Sequence, residues 1–446
     1  MSEARDQWGE SLPRRVGLGA AVAVLVGTTI GSGIFRVPAG IAGTLGDPGP
    51  VMLAWTLGGV LALFGALTIA ELAAAFPRSG GIFTFLYEGL GPMPAFLFGW
   101  SQIVVIRASA LGAIATIFAE YLGHFVPLEP MQVRYVAATA IVTVTLFNYV
   151  GVRKAAVVQN LTTVAKYAAL ALLVVLAFSV GDGSYDNFRA PVEGRVFEWS
   201  LLATALISVM WTYDGWADVS YMGGEIKDPG KTLPRALILG TLAIIAIYLS
   251  VNLAYIYLVP LPEMAGEPLV ASAAALKIPL LGAAGASIVA LVVMISTFGS
   301  LNGTMMASPR IFFAMAERRL IFPALARVSP RFQSPSGAIF LAMGLGVLYV
   351  LLNDFQALAD RFILGIWPFY IMAVAVVFVL RKKRPDLPRP YRTLGYPVIP
   401  AIFMLASIGM VINALVTDPV NTGITFAIIL AGIPVYWIRG VWMKKP

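Results

Sequence analysis

The sequence predicts an all-α protein that crosses a membrane many times. Of its 446 residues, 59% are hydrophobic and only 12% are charged, whereas a soluble globular protein carries about 25% charged residues. Apolar runs recur from end to end, many of them near the length of about 20 residues that a membrane-spanning helix needs. The mean hydropathy of +0.83 points the same way.

The apolar runs divide the chain into twelve predicted spans. Their limits are 16–45, 50–75, 93–123, 133–151, 156–180, 198–225, 233–259, 276–316, 336–353, 357–380, 396–416 and 421–440. We interpret 16–180 as a first group of five spans, 198–380 as a second, and 396–440 as two additional spans. Residues 1–15 and 441–446 are predicted polar tails.

The distribution of the 31 lysine and arginine residues predicts the topology. Four of them fall in loops on one side of the membrane: Arg134, Arg189, Arg195 and Lys277. Four more fall within spans or at their ends: Arg36, Arg107, Lys166 and Arg361. All the others fall on the opposite side, where the two termini lie. Cytoplasmic loops are enriched in basic residues. Both termini are therefore predicted to be cytoplasmic, and the net charge of +8 indicates contact with anionic lipid rather than with nucleic acid.

Two residue types are nearly absent, which narrows the function classes. The chain has no cysteine and one histidine, His124, so disulfides, thiolate catalysis and histidine metal clusters are excluded. No cofactor is predicted. An enzyme would need paired catalytic groups at membrane depth, and a channel would show repeated pore-lining motifs or charge rings. Neither is apparent, so both remain remote alternatives.

The stretch "TTIGSGIF", residues 28–35, interrupts the first apolar span near its middle. Every backbone polar group in the bilayer must be satisfied inside the protein, so a helix that opens there must line a cavity or a ligand. Gly31 and Gly33 permit backbone conformations that a side chain forbids. A half-helix that starts near Gly33 would present free N–H groups to a carboxylate. The alternative is a small-residue face for helix packing.

A second interruption lies in "WTYDGWADVSYMGGE", residues 211–225, within the sixth span. Asp214 and Gly215 stand where an apolar run is expected. Interrupted spans at matching positions in two halves point to an inverted-repeat transporter with a binding site at the midplane.

Five motifs then resemble the amino acid–polyamine–organocation permeases, and most closely their L-type amino acid transporter branch. They are "GTTIGSGIFRVPAGI", "ALTIAELAAAFPRSGG", "GVRKAAVVQNLTTVAKYAAL", "WTYDGW…GGEIKDPGKTLPRA" and "STFGSLNGTMMASPRIFFAMA". The resemblance implies a LeuT-like 5+5 inverted repeat with 12 transmembrane helices, in which helices 1 and 6 are discontinuous. It also implies transport by alternating access.

The resemblance implies a set of substrate-binding positions. The carboxylate would be held at Gly31, Ser32 and Gly33, with Thr29 nearby. The ammonium would be accepted by carbonyl groups freed around Trp211, Thr212 and Asp214, with Trp211 as a lid. Ile106 is a candidate for the side-chain pocket.

Asp214 departs from close L-type relatives, which often have a small or apolar residue at this position. A carboxylate at membrane depth is costly and is by default a functional candidate. Three roles are open: an ammonium ligand, a partner for a cationic side chain or a polyamine, and a proton carrier. Pairing with a neighbouring residue is the structural alternative.

A second set of positions concerns coupling. In the family, a lysine at the position of Lys166 stands where sodium-coupled relatives bind sodium, close to hydroxyl groups at Ser296 and Thr297. The resemblance therefore implies sodium-independent transport, with Lys166 as a fixed cation or a proton carrier. Arg107 is interpreted as part of a structural salt bridge, and Glu71 and Glu225 as members of ion pairs near the cytoplasmic face.

The predicted function is sodium-independent transport of L-amino acids, most consistently neutral ones, by exchange or with proton coupling. The alternative is a cationic amino acid or polyamine transporter that uses Asp214. The predicted location is a bacterial inner membrane. The loop "GHFVPLEP" lacks the cysteine that ties animal L-type transporters to a partner subunit. The chain is therefore expected to act as a monomer or weak dimer, with an amino acid and protons as its small-molecule partners.

Overall fold

The computed structural model describes residues 14–150, 167–194, 197–317, 320–329, 331 and 334–442. Within these ranges the regular secondary structure is entirely helical, apart from two isolated β-bridges. This confirms the predicted all-α class.

The first half of the described chain contains eight α-helices. They are α1 (Leu18–Thr29), α2 (Val37–Leu45), α3 (Pro48–Ala75), α4 (Ile82–Leu90), α5 (Pro92–Ser101), α6 (Arg107–Leu122), α7 (Pro130–Val150) and α8 (Tyr167–Val180).

The second half contains ten more. They are α9 (Trp199–Tyr213), α10 (Pro229–Leu258), α11 (Leu261–Ala265), α12 (Val270–Leu276), α13 (Gly285–Glu317), α14 (Ser336–Leu352), α15 (Phe355–Lys383), α16 (Val398–Thr417), α17 (Pro419–Leu430) and α18 (Gly432–Trp442).

Eight helical segments among the described residues are long and apolar enough to cross a membrane. They are Pro48–Ala75, Pro92–Leu122, Pro130–Val150, Pro229–Leu258, Pro279–Pro309, Phe355–Lys383, Val398–Thr417 and Pro419–Ile438. Four shorter apolar helices, α1, α8, α9 and α14, lie within the remaining predicted spans. The chain is therefore a multi-pass membrane protein, and the repeat relationship between its two groups of five spans remains a prediction.

Local sequence signals set several helix ends. The side chain of Asp47 accepts a hydrogen bond from the N–H of Gly49 at 2.8 Å, and that of Asp354 accepts one from Ala357 at 2.8 Å. Each satisfies a backbone donor that has no partner inside its helix. Gly46 ends α2 with a φ of 67°, a conformation that favours glycine.

Helices α3 and α10 form one of the main contacts of the bundle. Gly59 of α3 allows the approach, because an added Cβ atom would lie 2.9 Å from both Ile245 of α10 and the Tyr213 hydroxyl group. Small residues let helices pack closely in membranes, where packing rather than water exclusion drives association.

The face of the bundle on which α1 begins, here called the N-terminal face, contains a buried ion-pair cluster. Glu71 of α3 is only 2% exposed and accepts hydrogen bonds from Arg381 at 2.6 and 3.0 Å and from the Thr393 N–H at 2.8 Å. Arg389 lies 3.3 Å from the same carboxylate. The ion-pair interpretation of Glu71 is thus confirmed.

Glu225 behaves differently. Within the described residues its carboxylate forms no ion pair. Its backbone carbonyl group accepts hydrogen bonds from the N–H groups of Arg15 and Val16, each at 2.9 Å. The contact seen here is thus made by the backbone of Glu225, and an ion pair of its side chain remains a prediction.

Candidate functional site

The first predicted interruption is present in the structure. Helix α1 ends at Thr29, Ile30 has a φ of −71° and a ψ of 87°, and a short 3-10 turn covers Gly33–Phe35 before α2 begins at Val37. Ser32 is buried, and within the described residues its N–H group has no backbone acceptor. This segment therefore has a free donor beside the start of a new helix, an arrangement that suits an anion.

The second interruption is longer. Helix α9 ends at Tyr213, and the next α-helix begins at Pro229. Two 3-10 turns, Asp218–Tyr221 and Gly223–Glu225, occupy part of the intervening segment. The last turn of α9 keeps carbonyl groups that no following helical turn can satisfy, and these suit an ammonium group.

The two interruptions touch each other. A Cβ atom on Gly33 would lie 2.7 Å from the Thr212 hydroxyl oxygen and 3.2 Å from its Cα atom. A Cβ atom on Gly215 would lie 2.9 Å from the Thr29 Cα atom, and Gly215 has a φ of +109°. Only glycine allows backbone-to-backbone contact of this kind. The structure therefore brings Thr29, Gly33 and Thr212 together.

Tyr248 of α10 joins the two helix ends. Its hydroxyl oxygen lies 2.9 Å from the carbonyl oxygen of Thr29 and 2.9 Å from that of Thr212. The single O–H group is therefore shared between two acceptors. Its ring packs edge-on against Tyr213, with a centroid distance of 5.0 Å. Sequence analysis missed this residue, and the available signal was a hydroxyl-bearing ring in the middle of an aliphatic span.

Asp214 has a defined partner. Its carboxylate accepts a hydrogen bond from the Tyr370 hydroxyl group of α15 at 2.9 Å. Arg107 and Asp218 lie within electrostatic range of it. Two carboxylates thus share the neighbourhood of one guanidinium group, and Asp214 is only half-buried.

Arg107 begins α6 after a π-helical turn at Gln102–Ile106, and its Nε donates to the Gln102 side chain at 2.9 Å. Such turns occur often at functional sites. Within the described residues Arg107 has no carboxylate within salt-bridge distance, so the expected salt bridge is replaced by this hydrogen bond.

Trp211 and Ile106 both pack against α15. The Trp211 ring is 9% exposed and meets the Phe362 ring edge-on at 4.8 Å between centroids. Ile106 is fully buried, and a Cβ atom on Gly365 would lie 3.0 Å from its side chain. The structure thus places Trp211 at the end of α9 beside the interruption and Ile106 at a helix contact.

The coupling positions are only partly described. Lys166 lies outside the described residues. The Thr297 hydroxyl group donates to the Val293 carbonyl oxygen of its own helix at 2.8 Å. Ser296 is buried, and its hydroxyl group has no hydrogen-bond partner in the described part of the chain. Nor do the described residues contain a group of three side chains suited to a metal ion.

Comparisons with known proteins identify the family of the chain. The family model for amino acid permeases matches residues 16–438. The serine/threonine exchanger SteT of Bacillus subtilis (strain 168) is 33% identical over 430 residues, which cover 96% of this chain and 97% of that protein. The cystine/glutamate transporter of Homo sapiens is 32% identical, with 98% of this chain and 87% of that protein covered.

A third relative, the b(0,+)-type amino acid transporter 1 of Mus musculus, is 30% identical, with 92% of this chain and 84% of that protein covered. All three relatives are transporters by name, which fits a non-enzymatic role. With a family model that spans nearly its whole length, the chain belongs to the amino acid permease family of the amino acid–polyamine–organocation superfamily.

Proposed function

We propose that this protein is a sodium-independent secondary transporter of neutral L-amino acids that works by alternating access. The contact between the two helix interruptions carries this proposal. At this contact a helix start with a free N–H group meets a helix end whose carbonyl groups have no following helical turn. The Tyr248 hydroxyl group lies 2.9 Å from one carbonyl oxygen of each end and joins them, and each of these oxygens keeps a second lone pair.

An α-amino acid matches this arrangement at both of its charged groups. The carboxylate would bind at Gly31, Ser32 and Gly33, and the ammonium group at the carbonyl groups of Trp211 and Thr212. Backbone dipoles supply both contacts, so neither requires an ionised side chain. Trp211 would cover the bound substrate from the side opposite the N-terminal face.

The proposed architecture is a LeuT-like 5+5 inverted repeat with two additional helices. Its support is that eight long and four short apolar helices occupy the predicted spans and that the interruptions lie in the first span of each group. We propose cytoplasmic termini in a bacterial inner membrane, which makes the N-terminal face cytoplasmic. Lys166 would take the place of sodium beside Ser296 and Thr297.

The substrate side chain is the less constrained part of the proposal. The bacterial relative is named as a serine/threonine exchanger, which favours small neutral amino acids and an exchange mechanism here. A cationic amino acid or polyamine is the second candidate. It is favoured by the presence of two carboxylates, Asp214 and Asp218, near the single guanidinium group of Arg107.

Transport by purified protein in liposomes tests both candidates. Vesicles are loaded with unlabelled serine or left empty, and uptake of labelled serine, leucine and arginine is followed in sodium-free buffer, with and without an inward proton gradient. We expect uptake of serine only into loaded vesicles, which defines an exchanger.

Uptake into empty vesicles that requires the proton gradient would instead show proton coupling. Uptake of arginine alone would contradict the assignment to neutral substrates and support the role of Asp214 in cation binding. In a parallel series with sodium added to the external buffer, stimulation of uptake by sodium would contradict the proposed role of Lys166.

A further inference from the structure

An ion pair joins the turn between α1 and α2 to helix α6. The Nε atom of Arg36 lies 2.7 Å from Oε2 of Glu120. Arg36 stands between the 3-10 turn and the start of α2, only three residues after Gly33. The pair therefore acts on the half-helix whose start is the proposed carboxylate site.

Helix α6 holds the same turn through a second contact. The Tyr121 hydroxyl group, next to Glu120 in sequence, donates to the carbonyl oxygen of Phe35 at 2.8 Å. Tyr121 is fully buried. The end of α6 thus fixes both the backbone before Arg36 and the Arg36 side chain.

Arg36 also reaches the residues that cover the site. Its guanidinium carbon lies 5.3 Å from the centre of the Phe355 ring on α15, a cation–π distance. The Phe355 ring meets Trp211 edge-on at 6.4 Å. A continuous set of contacts therefore runs from Glu120 through Arg36 and Phe355 to Trp211, across helices α6, α15 and α9.

The Arg36–Glu120 ion pair is partly exposed, as expected of a contact that forms and breaks during transport. The side chains of Arg36 and Glu120 are 22% and 21% exposed, although the surrounding protein desolvates the Glu120 carboxylate, so the pair is partly accessible. Glu71 on the N-terminal face is only 2% exposed and is paired with both Arg381 and Arg389, so opening that contact requires the separation of two ion pairs. Partly exposed pairs cost little to break, whereas buried pairs cost several times more.

We propose that Arg36 and Glu120 are positioning residues that form the outer latch of the transport site. When paired, they hold α2 and Phe355 so that Trp211 covers the site. When they separate, the site opens on the side opposite the N-terminal face. This inference rests on the proposed function, which makes that side extracellular.

The absence of cysteine from the chain permits a direct test. Ala359 of α15 is 1% exposed and lies between Phe355 and Phe362 on the same side of the helix. The reporter is Ala359→Cys, and its reaction with a membrane-impermeant cationic thiosulfonate is followed from outside intact bacterial cells. We expect slow labelling in the otherwise unchanged chain.

Breaking the pair should speed this labelling. In the reporter background, Arg36→Gln and Glu120→Gln are each expected to raise the rate about fivefold, equivalent to about 1 kcal/mol for a partly exposed pair. The double variant Arg36→Glu with Glu120→Arg restores the ion pair but not the cation–π contact with Phe355, so it should label at a rate between those of the reporter alone and the single variants.

Two controls separate the latch from a general loosening of the fold. Lys277→Gln breaks another exposed ion pair, with Glu263 at 3.3 Å, and should leave the rate unchanged. A cysteine at the exposed Tyr185 should label equally fast in every background. Unchanged rates in both single variants, or a charge-swapped variant that labels as fast as they do, would overturn the proposal.

Uptake of labelled serine by the same variants is measured in parallel. Absence of uptake by the reporter chain and by the unmutated chain would count against the proposed function. The labelling rates alone decide the latch, so the two failures are distinguishable. If Arg36→Gln does not fold, Arg36→Lys keeps the charge and should label close to the reporter rate.

Discussion

The two helix interruptions both leave backbone groups without helical partners, but they differ in length and in charge. Between α1 and α2 the gap is short, carries no charge before Arg36, and is followed at once by a new helix. Between α9 and α10 the gap runs from Asp214 to Asp228 and carries two carboxylates within its first five residues. The first therefore offers mainly backbone donors to a ligand, whereas the second offers carbonyl groups and ionisable side chains.

This difference suggests that the two gaps bind different parts of the substrate. The first gap is suited to the carboxylate common to all amino acids, which needs no side-chain selectivity. The second is suited to the ammonium group and to discrimination between side chains. Substitutions in the first gap should lower transport of every substrate equally, and some in the second gap should change the order of preference.

The largest effect is expected for Gly215→Ala. The new methyl group would lie 2.9 Å from the Thr29 Cα atom at a φ of +109°, so overpacking adds to backbone strain, about 1–3 kcal/mol each. Uptake of all substrates should be abolished in liposomes. Gly194→Ala is the matched control, because Gly194 has a φ of +75° and no atom of the described residues lies within 4 Å of an added Cβ, and it should transport normally.

Gly33→Ala tests the same contact from the first gap and should be less severe. The new methyl group would meet the Thr212 side chain at 2.7 Å and its Cα atom at 3.2 Å, and the hydroxyl group can move aside. Overpacking of about 1–3 kcal/mol corresponds to a loss of roughly 5- to 150-fold in uptake rate. An added Cβ at Gly40 of α2 meets no atom of the described part of the chain within 4 Å, so Gly40→Ala should leave transport unchanged. Equal losses at positions 33 and 40 would refute the contact as the cause.

Tyr248→Phe removes the hydroxyl group that joins the two gaps. A neutral hydrogen bond contributes about 0.5–1.5 kcal/mol, so we expect a loss of roughly 2- to 12-fold in transport efficiency for all substrates. Tyr255, about two turns further along α10, is also fully buried, but its hydroxyl group has no partner in the described residues. Initial rates of serine exchange should be unchanged in Tyr255→Phe, and a similar loss there would contradict a specific role for Tyr248.

The smallest effect on neutral transport is expected for Asp214→Asn. The amide keeps a hydrogen-bond acceptor for Tyr370, so serine uptake should fall by less than about threefold, within the range of one neutral hydrogen bond. Any uptake of arginine should be lost. Competition between labelled serine and unlabelled arginine measures this. Tyr370→Phe is the comparison variant, and it should affect both substrates alike. Equal loss of both substrates in Asp214→Asn would make Asp214 a purely structural residue.

Some parts of this site could be predicted from the sequence because they depend on local chemistry. Two glycines and a serine within an apolar run cannot continue a membrane helix without reason, and the structure ends α1 at Thr29. A carboxylate followed by glycine marks the second interruption in the same way. The membrane location and the all-α class follow from the composition and from the length of the apolar runs, because a helix satisfies its own backbone where no water is available.

Other parts depend on residues far apart in the chain. Tyr248 meets Thr29 across 219 positions, and Tyr370 meets Asp214 across 156. The same holds for Arg36 and Glu120, which are 84 positions apart. A local pattern can mark Asp214 or Tyr248 as unusual in an apolar span, but it does not identify the distant residue with which each one pairs.

The sequence by itself determined that the chain spans a membrane, where its helices open, and which backbone groups would be free there. The tertiary structure alone decided that the two openings face each other, that one hydroxyl group closes both, and which charges pair. The physical reason is that backbone conformation responds to neighbouring residues, whereas pairing depends on distances that only helix packing sets.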